Sequence, residues 1–365
     1  MIHETIFADF HTRLRAFIGH SDFDSFDEAG FATLAKTLFE LQYETLPLLC
    51  SLCKQRGVTP QNLRDWRDIP AIPTSAFKDC DITSLSPEKR KHVFHSSGTT
   101  LQKPGRHFHD DDSLATYEAS LKPSFAHYFL DDKSKMDLLA LTPPPSLALH
   151  SSLAHMFGAV APMFTKTFFT GKIDPDGAWI LDLESTINHL QNAVDENRPI
   201  AIVGAAFSFV YLFDYCLEKN KRWQLPAGSR VMETGGYKGR SRVLSKKELY
   251  DLIDLCLNIA PSRIVSEYGM SELSSQAYDI WIASPSQLSR IFNFPPWARV
   301  QIVSAETQAQ VDDGEIGLIR IFDLANVRSC LAIQTEDLAI RRGNGFELIG
   351  RAPHAEPRGC SLMPS

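Results

Sequence analysis

Apolar residues near the start of the chain recur at helical spacing. Ile6, Phe10, Leu14 and Phe17 repeat every three or four positions, and Phe31 to Lys54 continues the pattern. Two amphipathic helices are therefore expected. Gly57 and Pro60 close the second. The run Asp68-Ile-Pro-Ala-Ile-Pro-Thr-Ser-Ala-Phe-Lys78 follows. Two prolines so close together exclude a helix or a sheet interior, so an extended connector is expected.

Beyond it, short apolar runs alternate with helical patterns. Val93–His95, Asp137–Leu141, Ile200–Gly204, Arg230–Met232 and Ile264–Ser266 read as strands, with one helix running to Glu218 and another from Ser245 to Asn258. Such alternation marks βα units on a mostly parallel sheet, an α/β fold. After about residue 290 the pattern changes to short, turn-bounded strands at Arg299–Ser304, Gly317–Phe322 and Leu338–Arg341. The expected organisation is one domain over residues 1–349, with a helical segment at 1–70 and a small β-rich subdomain at about 290–349. A flexible tail would follow at 350–365.

A net charge of −7 gives no electrostatic reason to expect nucleic acid as a partner. The N-terminal run MIHETIFADF is acidic and amphipathic, unlike a signal peptide. The longest apolar stretch, Ile200 to Phe213, falls short of the ~20 residues that span a bilayer, so no transmembrane segment is expected. Seven cysteines without framework spacing suggest reduced thiols and a cytoplasmic protein. Cys50 and Cys53 form a CxxC inside a leucine-rich helical pattern, which reads as two core thiols rather than a metal or redox site.

The sharpest local signal is His95-Ser-Ser-Gly-Thr-Thr100. A strand running into small and hydroxyl residues suits a loop that wraps an anion, because glycine admits a close backbone and the hydroxyls supply donors. Taken alone it could equally be a Ser/Thr-rich turn. It is neither a Walker loop nor a nucleophile elbow. Three further segments give it context. Glu233-Thr-Gly-Gly-Tyr-Lys-Gly239 and Glu267-Tyr-Gly-Met-Ser-Glu272 each follow a strand, and Thr335-Glu-Asp337 and Gly350-Arg351 lie beside later ones.

In this order the segments resemble the adenylate-forming superfamily, from about residue 70 onward. The resemblance implies a large α/β adenylating domain that uses ATP and Mg²⁺. Ser96, Ser97, Gly98, Thr99 and Thr100 would then grip the ATP phosphates. Gly235, Gly236 and Tyr237 would lie beside the adenine, and Tyr268, next to Gly269, would pack on it. Ser271 would contact phosphate, Glu272 would help hold Mg²⁺, Asp337 would bind the ribose hydroxyls, and Arg351 would reach ribose or phosphate. Leu101 and Glu336 depart from the usual glycines at their positions. Typical members also continue into a mobile lid domain with a catalytic lysine, whereas here a short tail is expected in its place.

The tail contains Arg358-Gly-Cys-Ser-Leu362. It resembles the terminus of the acyl-protein synthetase branch, related to phenylacetate-CoA ligase, as do Ile72–Lys78 and Thr234–Lys238. That resemblance implies that Cys360 accepts the acyl group as a thioester and delivers it to a partner such as a fatty acyl reductase. The plain alternative is an idle cysteine. His155, in His-Met-Phe-Gly158, resembles a segment that approaches the substrate carboxylate, though a core or capping histidine fits as well. Lys238 could supply the charge of the lid lysine or be solvated, and Lys78 could be structural. Phenylalanines at 164–169 and 207–213 could line an acyl pocket, but core packing is the simpler reading.

The leading expectation is an ATP-dependent acyl-protein ligase acting on a carboxylic acid, with a fatty acid implied by the family resemblance. One alternative is a ligase that loads CoA or a carrier-protein thiol directly. Another is a non-catalytic subunit that only binds nucleotide.

Overall fold

The computed structural model describes residues 2–96, 103–130, 135–237, 241–281 and 290–352. They fall into two compact units. The first comprises the chain up to Ser124, Met270–Ala277 and the residues from Ile291 onward; the second comprises Phe125–Gly269 with 278–281 and Arg290.

The first unit begins with helices Ile2–His20, Glu28–Thr45 and Pro47–Arg56. The second helix buries Phe31, Leu34, Leu38 and Phe39, the stripe expected from the sequence. The single helix expected over Phe31–Lys54 is divided at Leu46, which adopts extended backbone (φ −111°, ψ 99°) ahead of Pro47. Proline disfavours helical geometry in the residue before it and lacks an N–H, so the chain restarts with Pro47 in the first turn. Gly57, at φ 67°, ends the third helix as anticipated. Of the CxxC pair, Cys53 is fully buried and Cys50 is half-buried.

The later part of this unit is antiparallel. Strands Ala298–Val303, Ile316–Asp323, Ala332–Arg342 and Gly345–Arg351 pair in succession, and Arg290–Asn293 pairs with the last through Phe292 and Phe346. The proline connector is more ordered than expected. Ile72 and Pro73 form a short parallel strand beside Ile333 and Gln334, and Ala76–Asp79 makes one helical turn. The strand is only two residues long and Pro73 is exposed, so proline's missing donor is tolerated. His92–His95, expected among the parallel strands, instead forms an antiparallel hairpin with Arg106–His109.

The second unit is the expected parallel βα structure. Its strands lie in the order Ile264–Tyr268, Arg230–Thr234, Ile200–Ala205, Asp137–Ala140 and Thr167–Phe169, every pair parallel. Helices Ala206–Glu218 and Lys246–Leu257 pack Phe209, Phe213, Leu249 and Ile253 into its core with Ile202 and Val231. Phe207 also is buried, which favours the core reading for that segment, while Phe164, Phe168 and Phe169 are half-buried. In parallel sheets the loops at the carboxyl ends of strands carry ligand chemistry. Here those loops begin with Thr234-Gly235 and Tyr268-Gly269.

Candidate active site

In the first unit the hairpin prepares a loop stem. Ser96 N donates to the Gly105 carbonyl at 2.9 Å, and Gly105 N donates to Ser96 Oγ at 2.7 Å. This double link closes the base of the Ser/Thr-rich segment. Glu272 comes to the same point. A Cβ added to Gly105 would lie 2.9 Å from Ser96 Oγ and 3.1 Å from Glu272 Oε1. The place of a side chain at Gly105 is thus taken by a hydroxyl and a carboxylate that converge at the foot of the loop, which glycine alone permits without displacement.

The turn carrying Ser271 and Glu272 is tied down from several directions. Ser271 Oγ donates to the His95 carbonyl at 2.8 Å, and His107 Nδ1 lies 2.8 Å from the Ser271 carbonyl. Asn326 Nδ2 donates to the Glu272 carbonyl at 3.1 Å. Asp323 then accepts from Ser274 N, Ser275 N and Ser275 Oγ at 2.9, 2.8 and 2.7 Å. Glu272 itself is only 1% exposed, so its carboxylate is held out of bulk water.

On neighbouring antiparallel strands, Asp337 and Arg351 are register partners. Arg351 Nε lies 3.3 Å from Asp337 Oδ1 and Nη2 lies 2.9 Å from Glu336 Oε2. The residues assigned by resemblance to ribose are therefore together. Glu336, the departure from glycine, is a second anchor for the guanidinium.

The second unit presents its motifs side by side. Thr234 and Glu267 are register partners on adjacent parallel strands, and Thr234 Oγ1 donates to the Glu267 carboxylate. Gly235 follows with φ 67°, a left-handed turn that glycine adopts without strain. Tyr237 and Tyr268 are both largely buried. Burial, reinforced by nearby Glu233, pushes the Glu267 carboxyl up to about 7. Glu233 in turn accepts from Tyr250 Oη at 3.0 Å and lies 3.3 Å from Lys246 Nζ, which donates to Ser266 Oγ at 2.6 Å. His155 is half-buried on helix Ser152–Val160, whose first turn Ser151 caps.

Ser97, Gly98, Thr99, Thr100, Lys238 and Cys360 lie outside the described residues. Sequence reasoning missed Gly105, His107, Asp323, Asn326 and Lys246. The alternation His107-Phe-His109 on a short strand was the available signal, since period two puts both rings on one face. The others come from distant segments with no local signature. A cleft of about 280 Å³ in the first unit, lined in part by Trp66, Arg67, Arg299 and Arg341, contains none of the motif side chains.

The residues present fit a nucleotide carrying a divalent ion. Ser96 and Glu272 meet over a glycine, and together they offer a hydroxyl donor and a carboxylate of the kinds that phosphate and its metal ion use. Among the described residues, no three His, Cys, Asp or Glu side chains are grouped to hold a metal by themselves. An ion at Glu272 would take its remaining ligands from phosphate and water, the usual habit of Mg²⁺. Among the described residues, no helix is long and apolar enough to cross a membrane.

Comparison with known proteins gives a consistent picture. The family model for acyl-protein synthetase, LuxE, matches residues 39–365. A long-chain-fatty-acid–luciferin-component ligase of Vibrio harveyi is 22% identical over 346 residues, covering 91% of this chain and 86% of that one. The ligase of the same name from Aliivibrio fischeri is 23% identical over 343 residues, covering 90% and 86%. Among solved structures, 2-hydroxyisobutyryl-CoA ligase in its postadenylation state, bound to 2-HIB-AMP, aligns with a TM-score of 0.64 at 13% identity. That alignment covers 92% of this chain and 70% of the ligase, a likeness of fold.

Proposed function

This chain belongs to the acyl-protein synthetase, LuxE, family, and from that premise we propose that it activates a long-chain fatty acid with ATP and Mg²⁺ and passes the acyl group through Cys360. The observation that carries the reading is the convergence of Ser96, Gly105, Ser271 and Glu272 at the foot of the Ser/Thr-rich loop. Two relatives named as long-chain-fatty-acid ligases support the substrate class.

In the first step a carboxylate oxygen of the acid attacks the α-phosphorus of ATP. The bond to the bridging oxygen breaks, pyrophosphate leaves, and an acyl-adenylate remains. Both reacting groups are anionic, so the site must supply positive charge and donors. Mg²⁺ held with Glu272 would offset phosphate charge. Within the first unit, the loop stem at Ser96 and Gly105 would fix the phosphates, and Asp337 and Arg351 would hold the ribose. In the second step the Cys360 thiolate attacks the acyl carbon, AMP leaves, and a thioester forms on the protein. Delivery to a partner, a reductase being the family expectation, would follow. Because a tethered thiol acts at roughly millimolar effective concentration, it competes well against free acceptors.

The test is intact-protein mass spectrometry after incubation with ATP, Mg²⁺ and fatty acids of graded length. The expected result is a mass gain of one acyl group, removed by hydroxylamine and lost in Cys360→Ser. AMP production without any protein adduct would leave acid activation standing and transfer the second step to an external thiol.

A further inference from the structure

We propose that His107 is a positioning residue of this site, setting Ser271 and Glu272 against the stem of the phosphate loop. The inference rests on the acid-activating reading above and concerns how its carboxylate is held.

The geometry fixes the proton. His107 Nδ1 lies 2.8 Å from the Ser271 carbonyl oxygen, and a carbonyl only accepts, so Nδ1 carries the hydrogen. The imidazole is 2% exposed, and the ring of His109 packs against it with centroids 4.3 Å apart. Phe77 meets its edge at 6.3 Å. Water therefore has little access to replace this hydrogen bond. Burial also pushes the ring down to about 4, which keeps it neutral near pH 7.

What His107 holds is the junction of the site. Ser271 is gripped from both strands of the hairpin: its hydroxyl donates to His95 O, and its carbonyl accepts from His107. The next carbonyl, of Glu272, accepts from Asn326. Two consecutive peptide units are thus pinned, one to the hairpin and one to the Asn326 turn. The side chain of Glu272 then has its Oε1 beside Gly105 at the loop stem. Removing the His107 donor releases one of the two hairpin holds on Ser271 while leaving the His95 contact, Glu272 and the loop chemically intact. Displacements of about 1 Å at such a site can cost ~100-fold in rate.

The experiment compares His107→Leu with His107→Asn in acid-dependent ATP–pyrophosphate exchange, titrating Mg²⁺ at fixed ATP and recording thermal midpoints alongside. Asparagine places an amide N–H near the Nδ1 position, whereas leucine offers no donor. The expected result is an increase of about tenfold in half-saturating Mg²⁺ for His107→Leu, with His107→Asn within about threefold of wild type. Wild-type Mg²⁺ dependence in a folded His107→Leu protein overturns the proposal. So does an equal increase in both variants, because a packing role would ignore the donor. Should the leucine variant fail to fold, His107→Gln serves instead, as its donor sits at the Nε2 position. Asparagine should then outperform glutamine, and equal performance would overturn the idea. A wild-type protein without exchange for any acid would sink the acid-activating reading itself, an outcome separate from these.

Discussion

Glu267 stands where two motifs meet, hydrogen-bonded by Thr234 and close to Glu233. Its native carboxyl titrates at about 7 against an ordinary 4.5. Between these values the folded protein keeps a proton that the unfolded chain has already lost. Stability contributed by this group is therefore full below about pH 4.5, falls as pH rises through about 7, and is then level. Glu267→Gln removes the titration while keeping an oxygen for Thr234. Relative to wild type, the variant should gain roughly 3 kcal/mol between pH 4 and pH 8, read from urea unfolding at each pH. Identical pH slopes for the two proteins would show that Glu267 is already ionised in the fold. The sequence marked Glu267 as part of a motif but could not disclose its protonation. That depends first on burial, which raises the pKa, with Thr234 opposing the rise and Glu233 adding to it, both brought alongside by the parallel register. Ser96 and Glu272 were legible for the same reason that Gly105 was not: the former carry oxygen chemistry, while the glycine matters only for what fits over it.

At the scale of elements, the hydrophobic pattern located the helices because each buries one regular face, and the central parallel strands because they are short runs buried on both faces. It failed where a local constraint outranked the period. Pro47 divides one helix into two, and Ile72–Pro73 pairs where the start of the strand Ala332–Arg342 runs beyond its pairing with Gly345–Arg351. The hairpin of His92–His95 with Arg106–His109 was half visible, since its second strand, Arg-His-Phe-His, lacks the adjacent apolar pair Val93-Phe94 that marks the first. What links these elements to the site is the chain of anchors behind Glu272. Asp323, at the end of the strand Ile316–Asp323, is fully buried and also accepts from Ala325 N at 2.9 Å. Ser275 Oγ continues to Ser120 Oγ at 2.9 Å, which accepts from Trp297 Nε1 at 2.7 Å. Asp323→Ala would leave several buried donors without an acceptor and should destabilise by about 3–5 kcal/mol. Asp323→Asn, which retains one acceptor oxygen, should cost less. Chemical denaturation of both variants decides the matter. A loss under 1 kcal/mol for alanine would mean that the turn finds other partners.

For the whole molecule, the question is which thiol takes the acyl group. The described cysteines answer in part by their surroundings. Cys53 and Cys330 are buried, and burial pushes their thiols up to about 11 and about 12, far from the thiolate needed for attack. Cys216 and Cys256 are buried in the helical layer of the second unit. Cys50 is half-buried, and Cys80, exposed just after the turn Ala76–Asp79, is the most accessible described thiol and so the leading internal rival to Cys360. The family resemblance favoured Cys360 from its Arg-Gly-Cys-Ser-Leu setting, a reading that no fold-level pattern could have supplied. Deleting residues 353–365 separates the two possibilities. The shortened protein should retain fatty-acid-dependent ATP–pyrophosphate exchange within about threefold, because every described site residue remains, yet form no acyl adduct. Cys80→Ser in the full chain should leave the adduct unchanged. An adduct that survives truncation and maps to Cys80 would move the second step to the body of the protein. Loss of exchange together with the adduct would instead make the last residues part of the adenylating site, so that acid activation and acyl transfer depend on the same segment.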